Sequence, residues 1–142
     1  MMAVIILESH CDLLRGPAHA VLTTMMPDGT PQSSLIWVDY DGCYVLINTT
    51  LERQKGKNMQ RNPKVALLIV DPENASRWLE VRGTVMEITT DEAEAHADRL
   101  TRRYTCKEHF YGDIYPLEQK QKETRVIVTV EPIKISLDAI FK

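Results

Sequence analysis

No stretch of the 142 residues approaches the roughly 20 consecutive apolar residues that a membrane-spanning helix requires. The opening run Met1 to Leu7 has no basic residue ahead of it and no small-residue cleavage site after it, so no export signal is read there. A soluble, cytoplasmic protein without a membrane partner is the expectation. Cysteine is scarce: Cys11, Cys43 and Cys106 are widely spaced, with no C-x-x-C pair and no histidine at ligand distance. Neither a disulfide framework nor a zinc site is expected. There is no excess of basic residues, since 17 Lys and Arg face 20 Asp and Glu, for a net charge of −3. Nucleic-acid affinity is built from many clustered cations, so a nucleic-acid partner is not expected. Repeats, low-complexity segments and Gly-rich phosphate loops are absent. What remains has the size and composition of one globular domain spanning 1–142, with 44% hydrophobic and 26% charged residues.

Turn chemistry organises the chain. A short helix is predicted from about Val4 to Arg15, with Ser9 and Asp12 in capping spacing and Gly16-Pro17 as its stop. His19 to Met25 and Gln32 to Tyr40 read as strands around Pro27-Asp28-Gly29. Asp41-Gly42, between Leu35 to Asp39 and Cys43 to Asn48, is a strong hairpin signal. Glu52 to Arg61 reads as a short polar helix closed by Asn62-Pro63. Lys64 to Val70 is a nearly continuous apolar run, expected to be a strand buried on both faces. From Arg77 to Ile88 the pattern alternates, with Leu79, Val81, Gly83 and Val85 on one face. Thr89 and Glu92 have capping-box spacing ahead of a helix carrying Ala93, Ala97, Leu100 and Tyr104 at helical period. Thr105 to Lys122 reads as a structured loop or irregular helix. Arg125 to Val130 and Ile133 to Leu137 read as two strands parted by Glu131-Pro132. The fold class expected is mainly β (α+β): seven or so antiparallel strands with two or three flanking helices suggest a barrel, which the resemblance described below makes an antiparallel split β-barrel.

The densest chemistry lies where a strand ends in Asn48-Thr49-Thr50 and a helix carrying Arg53, Lys55 and Lys57 follows at once. Hydroxyls, cations and the exposed N–H groups of a helix start all favour an anion such as a phosphate. A solvated helix face is the competing reading of the same spacing. Ser33 and Ser34 lack the Gly-flanked elbow of a hydrolase nucleophile, so hydrolysis is set aside. Asp39, Asp41, Asp91 and Glu92 flank turns or open a helix and are given structural roles.

Seven short motifs occur in a telling order: Val21-Leu22-Thr23-Thr24, Asp28-Gly29-Thr30-Pro31-Gln32-Ser33-Ser34, Asp41-Gly42, Arg53-Gln54-Lys55-Gly56-Lys57-Asn58, Asn62-Pro63-Lys64-Val65-Ala66, Glu80-Val81-Arg82-Gly83 and Arg125-Val126. Together they resemble the pyridoxamine 5'-phosphate oxidase-like FMN-binding split barrels, with the strongest likeness to the branch that uses the deazaflavin F420. The resemblance implies a cofactor, F420 or FMN, whose phosphate is held by Arg53, Lys55 and Lys57 with help from Asn48, Thr49 and Thr50. It also implies that Gln32, Ser33 and Ser34 run beside the ring system and that Trp37 borders the pocket. A homodimer with cofactor sites at the interface is implied too, with Trp78 and the segment Tyr104 to Tyr115 as candidates for the neighbouring subunit's contribution.

Vitamin B6 oxidation is disfavoured on this reading, because the C-terminal Trp- and Arg-bearing extension of such oxidases has no counterpart before Ile140-Phe141-Lys142. In such chemistry the cofactor does the difficult step, so no nucleophile is nominated. Tyr104, Tyr111 and His109 are open candidates for proton delivery. Two classes follow: an F420- or FMN-dependent reductase of a small conjugated substrate, and a non-catalytic module of the same fold that holds FMN, F420 or haem for storage, sensing or stress protection.

Overall fold

A computed structural model of the chain describes Ile6 and residues 8–138. Residues 1–5, 7 and 139–142, which include the start of the expected first helix and the Ile140-Phe141-Lys142 end, lie outside the described residues. The elements in chain order are α1 (Cys11–Arg15), β1 (Ala20–Met25), β2 (Pro31–Ile36), β3 (Val38–Tyr40), β4 (Val45–Thr50), α2 (Gln54–Arg61), β5 (Lys64–Asp71), β6 (Asn74–Thr89), α3 (Ala93–Tyr104) and β7 (Arg125–Leu137). An irregular turn over Phe110–Ile114 and a short 3-10 helix over Leu117–Gln121 fill the segment before β7.

Among the described residues, all seven strands join one antiparallel sheet in the order β2-β1-β5-β6-β7-β4-β3. The two edge strands, β2 and β3, are consecutive in the chain and separated by Trp37 alone. The sheet therefore curls until its edges meet through a single residue, which is a split barrel with three helices against it. Leu22, Ile47, Leu67, Ile69, Leu79 and Val81 fill the interior and are fully buried, each burial being worth about 1.5–3 kcal/mol.

Turn residues set the hairpins as expected. Asp41 Oδ1 accepts from the backbone N–H of Cys43 and Tyr44, at 2.8 and 2.7 Å. Asp28 likewise accepts from the N–H and hydroxyl of Thr30.

Five expectations change. The Gln32 to Tyr40 strand is broken at Trp37, where the chain passes from one sheet edge to the other. Lys64 to Val70 alternates between buried and exposed positions, with Leu68 39% exposed, because only one face of β5 meets the barrel interior. Arg125 to Leu137 is one strand: Pro132 sits at a register shift opposite Gly83, so the lost N–H falls at a bulge. The Thr89/Glu92 capping box does not form, since Thr89 still belongs to β6 and Glu92 has left-handed backbone with φ 62°. The helix is held by its buried stripe Ala93, His96, Ala97, Leu100 and Thr101 instead. Ser9 and Asp12 do not cap α1 either: Asp12 pairs with Arg77 on β6, at 2.5 Å.

Candidate functional site

β4 delivers Asn48, Thr49 and Thr50 to the point where the chain turns into α2, and the contact between the two is unusually close. A Cβ built on Gly56 would lie 2.0 Å from the Thr50 carbonyl oxygen. Only glycine lets the helix settle this tightly on the strand end. The helix start then projects Arg53 and Lys55 into a cavity of about 180 Å³ whose polar wall also includes Asn48, Thr49 and Arg125. Leu35, Ile36, Trp37, Phe110, Ile114 and Tyr115 form its apolar wall.

Three cations thus converge on one cavity. Lys55 Nζ donates to Ser34 Oγ at 3.0 Å. Burial, followed by repulsion from Arg53 and Arg125, lowers the pKa of its ammonium. The Arg53 guanidinium lies 5.2 Å from the ring centre of Tyr115, and that of Arg125 lies 4.3 Å from the ring centre of Phe110. Thr49 is 1% exposed, and its hydroxyl has no hydrogen-bond partner among the described residues; neither has that of Thr50. A buried hydroxyl left unpaired costs about 1–3 kcal/mol. Three cations that share one cavity lining with Thr49 suit an oxygen-bearing anion, so the residues present fit the phosphate group of F420 or FMN.

Behind this wall runs a buried polar chain. Arg125, only 7% exposed, donates through Nη1 to Asn48 Oδ1 at 2.9 Å, through Nη2 to Glu123 at 2.8 Å and through Nε to the Tyr111 hydroxyl at 3.1 Å. Asn48 Nδ2 donates to the Ala93 carbonyl at 2.8 Å and meets His96 Nδ1 at 3.0 Å. His96 Nε2 meets Asp39 Oδ2 at 2.9 Å, and Arg103 donates to the other Asp39 oxygen at 2.8 Å. Burial alone would raise the Asp39 pKa, but hydrogen bonds from His96, Arg103 and the Tyr40 N–H hold this carboxyl well below the usual carboxylate range. Burial would also raise Glu123, and donation from Tyr111, Gln119 and Arg125 holds it down.

The candidate residues separate clearly. Trp37, Asn48, Thr49, Arg53 and Lys55 come together around the cavity, and Ser34 joins through Lys55. Thr50 is buried beneath α2. Lys57 stands exposed on α2, outside the cavity lining. Gln32 and Ser33 are tied to their β1 neighbours, Thr24 and Thr23. Trp78 lies on β6 away from this cavity, its backbone N–H donating to Asp138.

Of the proton-delivery candidates, Tyr104 has its hydroxyl engaged. It accepts from the Val38 N–H at 3.0 Å and donates to the Ala18 carbonyl at 2.8 Å, while its ring stacks on Trp37. Burial raises its pKa. The Tyr111 hydroxyl donates to Glu123, and His109 is exposed beside Asp98. Asp39, assigned to a turn, is instead the buried end of the polar chain. Sequence reasoning missed His19, Arg125 as a cavity cation, and the network members His96, Arg103 and Glu123. His96 carried a signal, because it shares the buried stripe of α3 with Ala93, Ala97 and Leu100.

Comparison with known proteins agrees with this architecture. A family model described as pyridoxamine 5'-phosphate oxidase matches residues 6–137. A pyridoxine/pyridoxamine 5'-phosphate oxidase of Rhodopseudomonas palustris (strain TIE-1) is 33% identical over 81 residues, 56% of this chain and 38% of that protein. The corresponding oxidase of Caulobacter vibrioides (strain NA1000 / CB15N) is 31% identical over 81 residues, with 56% and 36% covered. The chain spans little more than a third of the length of these curated relatives. A solved F420 reductase superposes with a TM-score of 0.77 at 37% identity, covering 92% of this chain and 98% of that one. A conserved hypothetical protein, Rv2991 of Mycobacterium tuberculosis, shares the fold with a TM-score of 0.68 at 24% identity, covering 96% and 87%. With its split barrel and a family match over nearly all its length, this chain belongs to the pyridoxamine 5'-phosphate oxidase family.

Proposed function

We propose that this chain is an oxidoreductase that holds F420, or failing that FMN, and serves hydride transfer to a small conjugated organic substrate. The observation that carries the reading is the convergence of Arg53, Lys55 and Arg125 on one cavity beside an aromatic slot. F420 is preferred because the likeness to the F420 reductase extends over 98% of that protein. When bound, such a group supplies the hydride chemistry itself. The chain's residues supply the rest. Arg53, Lys55 and Thr49 hold the phosphate, Trp37 and Phe110 wall the ring system and exclude water, and Arg125 keeps the polar wall positive.

A homodimer is part of the proposal. The cavity of about 180 Å³ in one chain falls short of the roughly 300–1,000 Å³ typical of cofactor sites. Leu35 and Leu68, 69% and 39% exposed, both pair with Val21 and form an apolar row on the outer face of the sheet. A second copy seated there completes the site, and Trp78, Gln32 and Ser33 are its candidate contributions. The test is fluorescence titration of the apo protein with F420 and separately with FMN. F420 binding in the micromolar range or tighter, with weaker FMN binding, is the expected result. Binding of neither refutes the proposal, and firm binding with no acceptor reduced favours a non-catalytic carrier.

A further inference from the structure

The chain Asp39, His96, Asn48, Arg125 draws one residue each from β3, α3, β4 and β7 and ends at the cavity wall. Its hydrogen-bond polarity is determined by its members. A side-chain amide has one acceptor oxygen and one NH2 donor. Arg125 can only donate, so the Asn48 oxygen faces it. The Ala93 carbonyl can only accept, so the Asn48 nitrogen faces that side. This nitrogen also meets His96 Nδ1, which must therefore accept, leaving the imidazole proton on Nε2 to be donated to Asp39. A neutral His96 protonated at Nε2 satisfies every hydrogen bond of this chain. A proton on Nδ1 would oppose the Asn48 NH2. Turning the amide would relieve that clash only by setting like against like at both Arg125 and Ala93.

We infer that neutral His96 is a positioning residue: it holds Asn48, and through it Arg125, in the arrangement that faces an anionic ligand, and its protonation weakens that hold. The inference rests on the proposed phosphate-binding role of the cavity. The charged groups around His96 are Asp39 on β3, Arg99 and Arg103 on α3, and, one residue beyond Asn48, Arg125 on β7 with its partner Glu123. Asp39 favours a charged imidazole. The amide and the arginines oppose it. His96 is 1% exposed, so a charge gained there is poorly solvated.

Two measurements test this. Affinity for F420 and for FMN is titrated from about pH 8 to about pH 5, where histidines change charge, in the unaltered protein and in His96→Gln. The ratio of the two proteins' dissociation constants at each pH removes the ligand's own titration. Binding by the unaltered protein should weaken about tenfold more across this range than binding by the variant, the scale expected for one hydrogen bond to a charged group. Equal pH slopes overturn the inference. Long-range 1H–15N correlation on the unaltered apo protein reads the His96 tautomer directly, and so can overturn the inference even if the variant does not fold. An Nε2-protonated neutral ring at pH 8 supports the inference; an Nδ1-protonated or charged ring overturns it. If neither ligand binds the unaltered protein at any pH, the proposed function fails, and the tautomer measurement still decides His96.

Discussion

Gly56→Ala is the most informative single perturbation of the site, because two opposed effects compete there. In an exposed helix interior the change stabilises by about 1 kcal/mol through propensity. Here the added methyl carbon would sit 2.0 Å from the Thr50 carbonyl oxygen and 3.2 Å from the Leu51 Cα, both backbone atoms that cannot rotate away. Ordinary carbon–oxygen contact is well over 1 Å longer, so α2 must lift from the end of β4. Lifting also loosens the bonds that seat the helix: Asn58 Nδ2 to Thr24 at 3.0 Å, Gln60 to the Leu51 carbonyl at 3.2 Å, and Arg61 to the Met25 carbonyl. Overpacking of this kind costs typically 1–3 kcal/mol and sometimes more. A net loss of about 2 kcal/mol is expected, or about 5–8 °C in Tm for a chain of this size. Because Arg53 and Lys55 ride on the same helix, F420 or FMN affinity should fall as well. Urea unfolding with a parallel ligand titration measures both. An alanine variant as stable as the parent, or more stable, would refute the close approach of α2 to β4 on which the site is built.

Lys55→Met should separate stability from binding. The ammonium pKa is lowered by burial and by Arg53 and Arg125, so below its unfolded value the unfolded chain binds the proton more readily and the charge destabilises the fold at neutral pH. Thermal unfolding of the apo variant should therefore show an equal or higher Tm, while ligand affinity drops about tenfold; a lower Tm would contradict the sign. Asp39→Asn leaves His96 and Arg103 without their buried carboxylate, and should cost about 3 kcal/mol at pH 7. Since the folded-state pKa is depressed, the Asp39 contribution is present above about pH 4 and fades as pH falls through the lowered value. Denaturation followed from pH 7 to strong acid should show parent and variant converging, and a gap that stays constant would exclude this origin.

Much of the strand order was legible because turns carry their own chemistry. Asp28 and Asp41 announce two hairpins, and the glycines beside them take up positive φ. The apolar alternation of β6 gave its buried face directly. Barrel closure was not legible, since nothing local at Trp37 shows that one residue spans two sheet edges. Glu131-Pro132 read as a break because the compensating partner, Gly83, is some fifty positions away. In the site, the cluster of Arg53 and Lys55 beside Asn48-Thr49-Thr50 stood out as contiguous sequence. The polar chain did not, because Asp39, Asn48, His96 and Arg125 are each unremarkable alone and acquire partners only through tertiary packing.

Trp37 is both the covalent link between the barrel's two edges and a wall of the cavity, and its ring is stacked on Tyr104, whose hydroxyl ties Val38 to Ala18. A planar ligand settling against this residue acts as a clasp on the circumference of the whole sheet. Occupancy should therefore slow amide hydrogen exchange along the full length of β2 and β3, which have one hydrogen-bonded neighbour each among the described residues, and the barrel as a whole should report whether its site is filled.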